Sequence, residues 1–212
     1  MCSGRVDLAF IFRAFSRGAD GVFIGACHLN ECNYVTHGNY HTLTTVLIAK
    51  KLLERIGLNP ERLRLQFMSG AEASLFVESV NDFVKKVKEL GPLGKAEGID
   101  ENALKFRFES VTNLIPYVRL VERERLRLPA MPEEEYRKFF DSDELKRLFK
   151  ETIADKLAIS QIVALLRERP LSTAEIAKML GLTPSEVSKY LNSSSRQRLV
   201  RYDESEKRYA IA

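Results

Sequence analysis

The strongest constraint on the fold is the alternation of strand and helix patterns along the first 91 residues. An apolar run over residues 20–25 predicts a short buried strand, and residues 63–67 alternate apolar with polar side chains as a second strand does. Helix-period patterns follow the two strands, over residues 43–56 and 76–90. Strands that alternate with helices form parallel sheets. The sequence therefore predicts an α/β fold with a Rossmann-like parallel sheet.

An earlier helix is predicted from Asp7, a suitable N-cap, to Gly18, which is placed to end it. The strand that should precede Cys2 has no residues in this sequence. We therefore expect a sheet with its first strand missing, either because the chain is truncated or starts late, or because a partner completes the sheet.

The three cysteines fall where a parallel sheet gathers its ligands. Cys27 and Cys32 follow the first predicted strand, Cys2 precedes the first predicted helix, and Ser69 follows the second strand. Because ligands collect beyond the carboxyl ends of parallel strands, we expect these four residues at one edge of the sheet. A metal or redox site is one interpretation, and free buried thiols are the alternative. No tetrahedral zinc pattern is complete.

Composition narrows the class of protein. A chain of 212 residues with 45% apolar and 29% charged residues is typical of a globular protein with room for a second small domain. No apolar run approaches the roughly 20 residues of a membrane span, and no signal peptide opens the chain, so we expect a cytoplasmic protein with no membrane partner. The net charge of +4 permits a nucleic-acid partner without indicating one. No phosphate-binding loop, GxGxxG motif or catalytic triad pattern is present.

Three parts are predicted: residues 1–91 as a domain with a metal or redox site, residues 92–153 as a helical linker region, and residues 154–212 as a second domain. Small and polar residues mark the linker over 93–98. One helix is predicted from Pro132 to Thr152, with its apolar residues at helical spacing.

The last part predicts a winged helix. Ser172 or Thr173 caps one short helix, and Thr183 caps the next, with Pro184 at its first position. Residues 199–211 predict a β-hairpin. Helix-turn-helix and hairpin together make a winged helix, which serves either DNA binding or protein packing.

If this domain binds DNA, its second helix faces a groove and nearby arginines contact phosphates. The residues predicted at that surface are Ser185, Glu186, Ser188, Lys189, Asn192, Ser193, Arg196, Arg198, Arg201 and Arg208. The acidic Glu186, and Asp203, Glu204 and Glu206 in the hairpin, weaken its electrostatic attraction to DNA. DNA is therefore the less favoured partner.

Two resemblances to known families rest on particular segments. Leu171-Ser172-Thr173-Ala174-Glu175-Ile176-Ala177 and Val187-Ser188-Lys189-Tyr190-Leu191 look like the helix-turn-helix of winged-helix regulators. The first 91 residues resemble the delta subunit of methyl-viologen-reducing hydrogenase, and the segments that carry this resemblance include Met1-Cys2-Ser3-Gly4, Gly25-Ala26-Cys27-His28, Cys32-Asn33-Tyr34 and Gly38-Asn39-Tyr40.

The hydrogenase resemblance implies a cofactor. In that family the domain binds a 2Fe-2S cluster through cysteines, and Cys2, Cys27 and Cys32 match three of the family's positions. The family also has an upstream strand with a Cys-x-x-Cys, which is absent from this sequence. His28, His37, His41 or a partner subunit is a candidate for a fourth ligand. For His28 we favour tuning of the cluster through hydrogen bonds over direct ligation.

The resemblance also implies a function. The family's iron–sulfur subunit carries electrons between a hydrogenase or formate dehydrogenase module and the flavin subunit of heterodisulfide reductase. The chain would then be a non-catalytic subunit, because the chemistry belongs to its partners. Two alternatives remain: a redox- or metal-responsive winged-helix transcription regulator, and an interaction adaptor whose site has degenerated.

Overall fold

The chain folds into two compact units, residues 1–146 and residues 147–212. The computed structural model describes residues 2–34, 38–126, 128–129 and 131–212. The helices are α1 Leu8–Ser16, α2 Asn39–Arg55, α3 Ala73–Leu90, α4 Glu101–Arg125, α5 Glu133–Asp141, α6 Asp143–Phe149, α7 Asp155–Glu168, α8 Thr173–Leu180 and α9 Pro184–Arg196. The strands are β1 Val22–Ala26, β2 Leu63–Phe67, β3 Val200–Asp203 and β4 Arg208–Ile211. The three-part division by residues 91 and 153 stays a prediction.

A parallel pair of strands organises the first unit. β1 pairs with β2 from Val22 opposite Leu63 to Ala26 opposite Phe67, and α2 connects them. This confirms the predicted α/β class with a parallel sheet. Because the strands run in the same direction, both end at the same edge. The loops that begin at Cys27 and Met68 therefore start side by side.

Helices pack against the sheet, although Phe76 and Val84 of the predicted helical pattern over residues 76–90 are exposed. Helix α1 begins as expected, because the Asp7 carboxylate accepts the Ala9 N–H at 2.7 Å. Helix α3 packs on the sheet face that carries Phe23, whose ring centroid lies 5.8 Å from that of Phe83. This contact requires glycine at position 21, since a Cβ there would lie 2.9 Å from Phe83 Cζ and 2.6 Å from a methyl group of Val87.

A buried arginine holds the end of the sheet where the strands begin. The Arg62 side chain is fully buried, and its Nε donates to Glu97 Oε1 at 2.6 Å. One terminal nitrogen donates to the carbonyls of Asp20 and Gly91 at 3.0 and 2.9 Å. Asp20 precedes β1, Arg62 precedes β2 and Gly91 follows α3. One side chain therefore joins three connections of the first unit.

Helix α4 packs against α1, where the Phe15 and Phe108 rings stack at 6.3 Å. The prediction of one helix from Pro132 to Thr152 is wrong, because Ser142 ends α5 and starts α6. Ser142 has extended backbone angles, and its hydroxyl oxygen accepts the Leu145 N–H at 3.2 Å. An N-cap serine competes in this way with continuation of a helix. A π-helical segment, Lys150–Ala154, then precedes α7.

The second unit has the predicted winged-helix arrangement. Helices α8 and α9 both begin with capping boxes, Ser172 with Glu175 and Thr183 with Glu186. Strands β3 and β4 pair in antiparallel fashion. Gly181 ends α8 in the left-handed conformation, with φ of 66°. In the part of the chain that the structure describes, no helix combines the length and apolar character needed to cross a membrane.

The Arg62 contacts lead to a stability prediction. Replacing Arg62 with Met should lower the free energy of unfolding by about 3–5 kcal/mol, because the Glu97 carboxylate and several carbonyls would be left buried without their donor. Urea unfolding of the full chain measures this. Lys138→Met is the matched control, since its ion pair with Glu134 is exposed and should contribute at most about 1 kcal/mol. Equal losses in the two variants would contradict a structural role for Arg62.

Candidate functional site

The three cysteines meet beyond the carboxyl end of β1. Cys2 Sγ and Cys32 Sγ lie 3.7 Å apart. Cys27 lies close enough for its thiol to hydrogen-bond with Cys32 and to be affected by the charge of Cys2. All three are partly buried and free of disulfides. The structure thus brings Cys2 together with Cys27 and Cys32, which follow it by 25 and 30 residues in the sequence.

The surroundings of Cys27 and Cys32 shift the pKa values of the two thiols in opposite directions. Burial, followed by the neighbouring Cys32 and Cys2, raises the pKa of Cys27. Burial acts the same way on Cys32, but hydrogen bonds from the backbone N–H groups of Tyr34 and Asn39 outweigh it and lower the pKa of Cys32. Cys2 Sγ accepts the Gly4 N–H at 3.4 Å. Backbone donors therefore point at two of the three sulfurs, and such donors favour thiolates.

The start of α2 forms one wall of the site. Gly38 is its N-cap, and a Cβ at this position would lie 2.3 Å from Cys32 Sγ and 2.5 Å from the Tyr34 carbonyl oxygen. Glycine is therefore required for the close approach of Cys32 to the helix. On the other side, the Tyr40 hydroxyl donates to Asn30 Oδ1 at 2.8 Å and fixes the loop where Asn30 has a positive φ of 70°.

His28 is held by a carboxylate from the neighbouring loop. His28 Nε2 lies 2.6 Å from Glu72 Oε2, which also accepts the Ser69 N–H at 2.6 Å. The Ser69 N–H and then His28 lower the pKa of Glu72 to about 2, and the hydrogen bond to Glu72 raises the pKa of His28. The loops after β1 and β2 are thereby joined, as the sheet topology predicted for Ser69.

Of the other two histidines, the structure describes His41. His41, on α2, pairs through Nδ1 with Glu122 of α4 at 3.1 Å. Glu122 is buried and also accepts from the Thr45 hydroxyl. His37 lies outside the described residues.

The donor set suits an iron–sulfur group in chemistry and in part in geometry. Two thiolates on one tetrahedral metal, each bonded at about 2.3 Å, lie about 3.8 Å apart, which is close to the Cys2–Cys32 separation. Among the residues that the structure describes, no set of three or more Cys, His, Asp and Glu side chains is arranged to hold one metal ion. A two-iron cluster instead divides its ligands between two metals. The three cysteines would supply three of the four thiolates that such a cluster usually takes.

Two residues of the site were not predicted from sequence. Glu72 lies three residues beyond Ser69, and only its position after the second strand marks it. Asn39 belongs to the Gly38-Asn39-Tyr40 segment, to which the sequence assigns no role. Their contacts depend on where the loops after the strands turn, which periodicity does not give.

In the second unit, most of the predicted DNA-contact residues are exposed. Residues 147–212 hold 12 Lys and Arg against 8 Asp and Glu, so the chain's net charge of +4 resides there. Of the six residues with the strongest case for DNA contact, Ser188 is half-buried and the others are exposed: Ser185, Lys189, Arg196, Arg198 and Arg201. Arg198 has a left-handed φ of 57°. Lys189 pairs with Asp155 at 3.2 Å, and the Glu186 carboxylate serves the cap of α9.

The His28–Glu72 pair leads to a pH prediction. Its contribution to stability should be largest between about pH 4.5 and 6.5. It should fall above that window as His28 loses its proton at its raised pKa, and below it as Glu72 is protonated toward its pKa of about 2. NMR titration should show the pKa of His28 falling toward its ordinary value in Glu72→Gln. Glu31→Gln is the control, because the charge of Glu31 has the smallest effect on His28. An unchanged His28 pKa in Glu72→Gln would contradict the pairing.

Comparison with known proteins finds two separate matches, one within each compact unit. The family described as methyl-viologen-reducing hydrogenase, delta subunit, matches residues 1–91. The family described as bacterial regulatory protein, arsR family, matches residues 160–202, which include α8, α9 and the start of the hairpin.

Relatives of the first part are components of hydrogenases and heterodisulfide reductases. A subunit of the ferredoxin/F420H2-dependent CoB-CoM heterodisulfide reductase from Methanosarcina acetivorans is 43% identical over 94 residues, 44% of this chain and 12% of the relative. An iron-sulfur subunit of the F420-non-reducing hydrogenase from Archaeoglobus profundus is 45% identical over 91 residues, 43% of this chain and 66% of the relative. The chain thus spans about two thirds of one relative and about an eighth of the other.

A third relative has a similar match. It is the vhu iron-sulfur subunit of the F420-non-reducing hydrogenase from Methanopyrus kandleri, 45% identical over 92 residues, which are 43% of this chain and 69% of the relative. Through its first 91 residues, the chain belongs to the methyl-viologen-reducing hydrogenase delta subunit family, and it carries an arsR-type helix-turn-helix near its C-terminus.

Proposed function

We propose that this chain is an iron–sulfur electron-transfer subunit that binds a 2Fe-2S cluster through Cys2, Cys27 and Cys32. The observation that carries the proposal is the convergence of three thiols, from two separate loops, at the carboxyl edge of the sheet. Soft thiolates suit iron, and the names of two relatives include the words iron-sulfur subunit. A bound cluster would supply one-electron redox chemistry at this edge.

The protein's own residues would hold and tune that group. Backbone N–H groups of Tyr34, Asn39 and Gly4 face the sulfurs, where they stabilise negative charge. His28 is tied by Glu72, so its orientation beside Cys27 is fixed. We assign His28 to tuning of the cluster, and the remaining ligand to a group other than the three cysteines.

For partners, we propose a hydrogenase or formate dehydrogenase module on one side and a heterodisulfide reductase-like flavin subunit on the other. Support comes from the two kinds of relative. The same stretch of sequence occurs in hydrogenase iron-sulfur subunits and, as about an eighth of the polypeptide, in a heterodisulfide reductase subunit. A domain that is fused to one protein and separate in another commonly works beside the same neighbour. Such a relay would operate in the cytoplasm, with catalysis in the partner subunits.

Iron and acid-labile sulfide analysis tests the cluster. After anaerobic reconstitution of the full chain, we expect about two irons and two sulfides per chain, with an EPR signal on reduction. Cys27→Ser and Cys32→Ser should lose most of the iron, because each removes a thiolate. Ser69→Ala is the control, since it changes the neighbouring loop without removing a sulfur. A wild-type chain without iron, or serine variants with full iron content, would overturn the proposal.

The second candidate function is a redox- or metal-responsive winged-helix transcription regulator. The exposed Arg196, Arg198 and Arg201, in the unit that holds the chain's net positive charge, favour it. Arg198 keeps a left-handed backbone at a cost of about 1 kcal/mol, and such strain often occurs at functional sites. The tie of Lys189 to Asp155 weighs against it, because that cation is already neutralised.

Binding to duplex DNA at several salt concentrations separates the two candidates. A regulator should show a preferred sequence, a log K that falls by about 0.9 per phosphate contact with log salt, and a slope reduced by about 1 in Arg196→Ala. Lys138→Ala removes the same charge from the first unit and is the control. The electron relay predicts no preferred sequence and no difference between the oxidised and reduced chain. Sequence-specific binding that changes with the redox state would favour the regulator.

A further inference from the structure

Asn39 stands out in the candidate site because its side chain is completely buried, yet only its amide nitrogen, and not its oxygen, is hydrogen-bonded. Its Nδ2 donates to the carbonyl oxygens of Cys27 and His28 at 3.0 and 2.6 Å, and lies 3.7 Å from Cys27 Sγ. Its Oδ1 has no hydrogen-bond partner within the described part of the chain. These contacts also assign the amide orientation, because the two carbonyls require the nitrogen on their side.

A buried amide of this kind is costly unless it does something an apolar side chain cannot do. Leaving a buried acceptor unsatisfied costs about 1–3 kcal/mol. Leucine has nearly the same size and carries no polar atom, so it would avoid this cost. The function of Asn39 must therefore lie with its amide nitrogen, which hydrogen-bonds two consecutive backbone carbonyls and lies near a cysteine sulfur.

The backbone of the same residue serves a second cysteine. The Asn39 N–H donates to Cys32, and Gly38 keeps that approach open by having no Cβ. Asn39 is the first residue of α2, whose other buried residues pack in the core of the first unit. A rigid helix thus presents one donor to Cys32 and another to Cys27 from a single position.

We propose that Asn39 is a positioning residue that fixes the Cys27 loop and sets the reduction potential of the cluster. The inference rests on the proposed function. The amide has two hydrogens for three acceptors, so one N–H is shared between a carbonyl and Cys27 Sγ. A shared N–H that faces a ligand sulfur still stabilises the additional negative charge of the reduced cluster, and so raises its potential. Removing the donor makes the cluster harder to reduce. Removing the anchor of the Cys27 and His28 carbonyls loosens the loop even in the cluster-free chain.

The test compares Asn39→Leu with Thr44→Val in the full chain. Thr44 is a buried residue of the same helix whose hydroxyl bonds the Tyr40 carbonyl, so its loss matches the polar deletion at a distance from the sulfurs. In EPR-monitored redox titrations we expect the equilibrium constant for reduction to fall at least tenfold in Asn39→Leu, a shift of about 59 mV to lower potential. Thr44→Val should keep the wild-type potential and spectrum.

Hydrogen exchange of the cluster-free chain provides a second measurement. The Glu31 N–H bonds the His28 carbonyl at 3.1 Å, the same carbonyl that Asn39 holds. Its exchange should be faster in Asn39→Leu than in the wild type or Thr44→Val. If Asn39→Leu does not retain the cluster, Asn39→Ser, whose hydroxyl is too short to reach Cys27, takes its place in the redox titration. If neither retains it, the Glu31 exchange decides.

The outcomes separate the inference from the function on which it rests. A wild-type chain that takes up no iron overturns both. A loaded Asn39→Leu or Asn39→Ser variant with the wild-type potential overturns the role of Asn39 and leaves the iron–sulfur function standing. Unchanged exchange at Glu31 in cluster-free variants that cannot be loaded also overturns it. A lowered potential in a loaded variant supports it, and faster exchange supports it where neither variant loads.

Discussion

The buried ion pair of Arg62 with Glu97 is the interaction on which the first unit depends. It lies where the strands begin, and it bonds the chain before β1, the chain before β2 and the end of α3. An uncompensated guanidinium in that place would be very unfavourable, so these segments must come together as one set. At the opposite ends of the strands the loops are joined instead by the partly exposed pair of His28 and Glu72, and there the cysteines gather. The buried ion pair and the cysteine thiols thus lie at opposite edges of one small sheet.

At the edge that carries the cysteines, uncharged backbone N–H groups face the sulfur atoms. Three sulfurs crowded together would repel one another as thiolates, and the raised pKa of Cys27 reflects burial first and this crowding second. The backbone N–H groups near Cys32 and Cys2 counter it without adding a cation. The charged groups nearby, His28 and Glu72, are paired with each other at 2.6 Å. Under the proposed function, a bound metal group would balance the negative charge of the thiolates.

The sequence predicted the fold well where periodicity and end signals agree. Asp7 and Thr183 are N-caps as predicted, and Ser172 is the cap of α8, for which the prediction left Ser172 and Thr173 open. Strand β2 and the two strands of the hairpin lie within the predicted stretches. Ser142 was missed because its apolar neighbours keep helical spacing across the break. Capping residues and hydrophobic periodicity were therefore sufficient to predict an element, except where the two signals disagreed.

The site was predictable only as far as topology reaches. The rule that parallel strands end at one edge was sufficient to bring Cys27 and Ser69 together, and Cys2 with them. It could not show that Glu72 turns back to His28, or that Asn39 points into the cysteine loop, because both depend on side-chain directions in loops of irregular backbone. Whether the cysteines hold a cluster lies beyond both topology and contact geometry and stays a prediction.

The 3.7 Å between Cys2 and Cys32 also has a consequence for the metal-free chain. The two sulfurs would have to approach by about 1.7 Å to reach the bonding distance of a disulfide, about 2.05 Å. Cys32, with its lowered pKa, is the thiolate that an oxidant would convert to sulfenic acid, and attack by the neighbouring Cys2 sulfur would then close the disulfide with loss of water. If these cysteines bind iron as proposed, an oxidant and iron would compete for the same pair of atoms. The order in which a newly made chain met them would then decide whether it matures or is held in a disulfide form that a reductant must reopen.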